Sequence, residues 1–131
     1  MKLEHLPATE PDIRAEEIIR LFDFDQVEAH AFQEIIRDQI LRKRTSVELS
    51  TQSFIDHIDC SLLLRMGGND RGIHHVGGSH FECELTEASY RLMIDLIQPF
   101  VEEASNGHQW LYDLSGDVTS IEFLFSQKGT W

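Results

Sequence analysis

The chain has 131 residues, 41% of them hydrophobic and 26% charged, the length and mixture of a single folded domain. Eleven Lys and Arg stand against 23 Asp and Glu, a formal charge of −12, and the first 65 residues and the rest are both acidic. A surface of that sign repels phosphate backbones and anionic headgroups, so nucleic-acid and membrane partners are excluded as expectations. No apolar run approaches the ~20 residues that cross a bilayer, and the opening Met1-Lys2-Leu3-Glu4-His5 lacks the apolar stretch of a secretory signal. The expected setting is cytoplasmic. One domain over 1–131 is expected, with 1–8 flexible.

Thr9-Glu10-Pro11-Asp12 has the form of a helix start, with Ile13, Ile18, Leu21 and Phe22 as a partial apolar face ending near Asp23. Asp25-Gln26-Val27-Glu28 resembles a capping box and opens a second helix, in which Phe32, Ile35, Ile36 and Ile40 recur at helical spacing. Arg42-Lys43-Arg44 closes it, where cations offset the helix dipole. From Phe54 to Met66 the period becomes two, a strand pattern interrupted at Asp56. Glycines 67, 68, 72, 77 and 78 predict an irregular loop, after which Phe81, Cys83 and Leu85 alternate with Glu82 and Glu84 as a strand with one wet face.

Thr86 caps a third helix, with Tyr90, Met93, Ile94, Ile97 and Val101 on one face; Pro99 predicts a kink or an end at about Gln98. Trp110, Tyr112 and Leu114 alternate, Gly116-Asp117 makes a turn, and Ile121, Phe123 and Phe125 answer from a last strand. The expected fold is therefore α+β: two N-terminal helices, then an antiparallel sheet of four to five strands in β-β-α-β-β order with helices packed on one face.

The stretch Gly67–His80 holds five glycines, three histidines and two arginines with Arg65, and matches neither phosphate-binding glycine pattern. His74, His75 and His80, with Asp70, are candidate ligands for a divalent metal such as zinc, which takes imidazole and carboxylate donors. Adjacent His74 and His75 point to opposite sides if extended, so only one joins His80 easily. Cys60 and Cys83 sit among apolar residues and read as small hydrophobes. Cys60 with His57 falls on opposite strand faces, which disfavours a catalytic dyad, and Glu82 with Glu84 reads as a solvated face. Trp110, Tyr112, Phe123 and Phe125 lack accompanying cations and read as core, not as a base-stacking surface.

The functional expectation is a small acidic, non-catalytic interaction domain of immunity, inhibitor or adaptor type that binds a basic protein. The alternatives are a metal or small-ligand site on 67–80, and a homo-oligomer joined through a sheet face or edge.

Overall fold

A computed structural model describes residues 1–7, 17–104, 106–114 and 121–131. Among the described residues, nine strands and two helices form an α+β arrangement with two mixed sheets. The first sheet contains β1 (Lys2–Leu6), β2 (Ile18–Phe22), β4 (Asp56–His57), β8 (His108–Trp110) and β9 (Glu122–Ser126), in the order β4-β1-β2-β9-β8. The second contains β3 (Val47–Glu48), β5 (Ser61–Met66), β6 (Gly72–Gly77) and β7 (His80–Leu85), in the order β3-β5-β7-β6. Helix α1 spans Gln26–Glu34 and continues as π-helix over Ile35–Arg42; α2 spans Glu87–Glu102.

Two leading helices are not what forms. Ile18–Phe22, expected on a helix face, is strand β2, because Ile18, Ile19 and Leu21 are all buried and pair on both edges, with β1 and with β9. The Thr9–Asp12 cap lies outside the described residues. Residues 1–7, expected to be flexible, contain β1, whose Met1 and Leu3 enter the core. The apparent strand from Phe54 to Met66 is two strands in different sheets: β4 pairs in parallel with β1, and β5 with β7.

Order β-β-α-β-β also fails at residues 67–80. Most of the expected loop is β6, an edge strand antiparallel to β7, which leaves β5 and β7 parallel rather than a hairpin. Gly77 and Gly78 turn the chain at positive φ (139° and 57°), which side-chain-bearing residues rarely adopt. Antiparallel pairing does form between β8 and β9, but β8 ends at Trp110, so Tyr112 and Leu114 of the expected strand lie beyond it, and the expected Gly116-Asp117 turn lies outside the described residues.

The capping box is present: Asp25 accepts from the Glu28 amide at 2.8 Å and Glu28 accepts from the Asp25 amide at 3.3 Å. Thr86 caps α2, accepting from the Ser89 amide at 3.3 Å. Pro99 does not end that helix, which runs to Glu102. The proline forfeits one hydrogen bond, but Phe100 is buried against Phe125 at 5.0 Å and Gln26 donates to the Val101 carbonyl at 3.1 Å, so packing holds the last turn. The helices meet through buried Gln33, which donates to the Ile94 carbonyl at 3.0 Å and to Gln98 at 2.7 Å.

One apolar cluster joins both sheets and both helices. Phe123 and Phe125 are fully buried and Tyr112 nearly so, as expected of core aromatics, whereas Trp110, expected with them, is only partly buried. An isolated bridge, Ile73 to Ile121, ties β6 to the entry of β9. Tyr112 reinforces it: its hydroxyl accepts from the Ile73 amide at 3.0 Å and donates to the Ile121 carbonyl. Tyr112→Phe leaves that buried amide without its acceptor, at an expected cost of about 1–3 kcal/mol. Urea titration should show a lower midpoint with an unchanged slope.

Candidate functional site

The bridge between the sheets sets the position of the one group of three His, Cys, Asp or Glu side chains that converges among the described residues: His5, Glu17 and His75, whose ligand atoms all lie within 4.8 Å of one another. Strand alternation puts His5 on the face of β1 that carries Met1 and Leu3 into the core. Its register partner is Ile19 of β2, and Glu17 lies two residues before Ile19, so their side chains leave the sheet on the same side. Glu17 is anchored through its carbonyl, which accepts from the Glu122 amide at 3.0 Å. On β6, His75 shares the face of buried Ile73, the residue bridged to Ile121.

The Nε2 atoms of both histidines face one oxygen of Glu17. His75 is hydrogen-bonded to it, whereas His5 Nε2 stands at 3.4 Å in an ion-pair arrangement that makes no hydrogen bond. That nitrogen is buried. The imidazoles stand nearly perpendicular (89°) with centroids 6.0 Å apart, and Phe81 packs against both, at 4.7 and 4.5 Å. The site thus has two imidazole nitrogens, one carboxylate, an aromatic wall, and an open side where the His75 side chain is 54% exposed.

Of the four ligands expected on 67–80, the structure brings His75 into this group and places the others elsewhere. His74 Nδ1 is 3.4 Å from the Gly72 carbonyl. His80 Nδ1 is 2.5 Å from Ser61 Oγ, a pairing that follows from the parallel register of Ser61 with His80. Asp70 accepts from the Thr86 amide at 2.8 Å and from its hydroxyl at 3.0 Å, supporting the α2 cap. Burial opposes ionisation of Asp70, but these bonds and Ser89 outweigh it and hold its pKa below the usual carboxylate value.

The cysteines are both free and buried. Burial pushes each thiol up to about 12, with the Asp59 charge adding to the effect at Cys60. Native protein at pH 8 should therefore react with a thiol-specific disulfide reagent only slowly, while unfolded protein releases two equivalents of thiol promptly. Rapid labelling of the native state would contradict this burial. Glu84, expected on a wet face, is only 6% exposed and is paired to Arg65.

The charge surplus has its own arrangement. Lys2, Arg20, Arg37, Arg42, Lys43, Arg44, Arg65, Arg71 and Arg91 each lie within 4.0 Å of a carboxylate of the same chain. Asp56, Asp95, Glu103 and Asp113 are exposed and enter no ion pair with another described residue. At the C-terminal end of α2, Glu102 and Glu103 are exposed and the last turn holds no basic residue, so acids sit on the negative pole of the helix. Beside them Phe24, Asp25, Gln26, Phe100, Ala104 and Gln127 line a small cleft.

No helix among the described residues is long and apolar enough to cross a membrane. Comparison with protein-family models, curated proteins and solved structures finds no match for the chain.

Proposed function

We propose that the chain is an acidic, non-catalytic interaction domain, of immunity, inhibitor or adaptor type, that binds a basic protein. The observation that supports this reading is the internal pairing of its cations: nine of the eleven basic side chains lie against carboxylates of the same chain, whose formal charge is −12, while Asp56, Asp95, Glu102, Glu103 and Asp113 are exposed. Such a field accelerates encounter with a positively charged partner and discourages anionic ones.

The end of α2 is the favoured point of contact. A partner Lys or Arg at this cleft would place its charge near Asp25 and the helix terminus. Affinity capture from the source cell at low and then moderate salt tests the proposal. The expected result is a basic protein that is recovered at low salt, is released as salt rises, and is lost with the double substitution Glu102→Lys and Glu103→Lys. Recovery of no partner, or of one indifferent to both salt and charge reversal, would sink the reading. Light scattering of the purified chain separates this from self-association: an oligomer abolished by the same substitutions would make a second copy the occupant instead.

A further inference from the structure

We propose that His5, Glu17 and His75 form a binding site for one divalent transition-metal ion of the zinc class. Two imidazole nitrogens and a carboxylate are a donor set that zinc accepts, and their convergence within 4.8 Å makes simultaneous ligation geometrically accessible. Imidazole–carboxylate hydrogen bonding is the simpler account of such a cluster, and it suffices for His75 and Glu17. It does not suffice for His5. That Nε2 is buried, points at the carboxylate from 3.4 Å and has no hydrogen bond, a costly condition for a buried polar atom. An ion between the three donors would give that nitrogen a partner and replace the bond between His75 and Glu17 with two metal bonds.

The surroundings favour the same occupant. The perpendicular rings let both Nε2 atoms approach one point without stacking, while Phe81 closes the inner wall against water. The donors are carried by strands β1 and β6 and by the residue leading into β2, so they are held by hydrogen-bonded backbone rather than by a mobile loop. With three protein ligands and His75 half exposed, the remaining coordination position faces solvent and would take water. The ligands come from both sheets, so the ion would also staple β1 and β2 to β6. Binding should raise the melting temperature as well as register as stoichiometry.

The test uses full-length protein carrying no polyhistidine tag and stripped of metal with a chelator. Zinc is titrated by calorimetry, cobalt(II) by visible absorption, and melting is followed with and without zinc. Wild type should take up one equivalent of zinc, give the intense absorption of low-coordinate cobalt, and melt at higher temperature with metal. His75→Ala, at a half-exposed position, and the isosteric Glu17→Gln should each weaken zinc binding by about 100-fold or more and remove the melting shift. His74→Ala, one residue away on the other strand face, should bind as wild type does. The proposal is overturned if wild type binds zinc no better than His75→Ala and Glu17→Gln, or if His74→Ala loses as much affinity as they do. His5→Ala, with its fold verified by circular dichroism, should match the other ligand variants; wild-type affinity in that variant would remove His5 from the site.

Discussion

Phe125→Ala should lower the unfolding free energy by about 3–5 kcal/mol, a large share of the ~5–15 kcal/mol available to a domain of ordinary stability. Phe125 is fully buried on β9, the strand flanked by β2 and β8, where it is the ring on which the aromatic core converges. Phe24 stacks on it at 4.3 Å, Phe32 lies nearly parallel at 5.7 Å, and Phe100 meets it edge-on at 5.0 Å. Those three come from the residue just ahead of the α1 cap, from the body of α1 and from the last turn of α2, so truncation removes the common anchor of both helices on the first sheet. The vacated volume cannot collapse cheaply, because its walls belong to separate elements each held by its own hydrogen bonds. Urea denaturation followed by fluorescence and by circular dichroism should show coincident transitions at a lower midpoint. The same substitution at Trp131, which is 60% exposed, should change stability by no more than about 0.5 kcal/mol. Similar losses at both positions would mean that the core is not organised around Phe125.

Which of these elements can be read from sequence follows from how each buries its apolar residues. Helix α2 has one buried stripe, Tyr90, Met93 and Ile97, with a Thr cap, and its period survives in the sequence. In the last strand Ile121, Phe123 and Phe125 recur at period two, although Leu124 and Ser126 on the other face are buried as well. Ile18–Phe22 has no such spacing: all of its residues but Arg20 are apolar, and so continuous a run has no period to distinguish strand from helix. Glycines 72, 77 and 78 suggest a loop by composition, yet they bound an edge strand whose ends need positive φ. The candidate metal centre was legible in one member only. His75 stands out in a histidine-rich stretch, whereas its hydrogen-bond partner Glu17 is 58 positions away and depends on the Ile73–Ile121 bridge. The sole local signal for His5 is its place after Met1 and Leu3 in a period-two pattern, which sets an imidazole facing inward.

Arg65→Ala is expected to cost about 2–3 kcal/mol, below the ~3–5 kcal/mol of a fully buried ion pair because the arginine side chain is 37% exposed. Parallel pairing of β5 with β7 sets Arg65 directly beside Glu84. The guanidinium grips Glu84 and lies 2.6 Å from Glu82 through Nε, in a direction that makes no hydrogen bond there. Glu84 is the more consequential partner, since its side chain is only 8% exposed and Arg71, at 4.0 Å, is the one other cation in reach among the described residues. Without Arg65 the carboxylate keeps its burial and loses its charge-assisted bond, the asymmetry that makes removing one partner worse than removing both. Gly67 belongs to the same unit: a Cβ there would lie 2.7 Å from the Glu84 carboxyl carbon, so Gly67→Ala should push the carboxylate off Arg65. A double-mutant cycle decides the matter. Arg65→Ala in a Glu84→Gln background should cost clearly less than in wild type, and additive costs would show that Arg65 stabilises the sheet by packing rather than by holding this carboxylate.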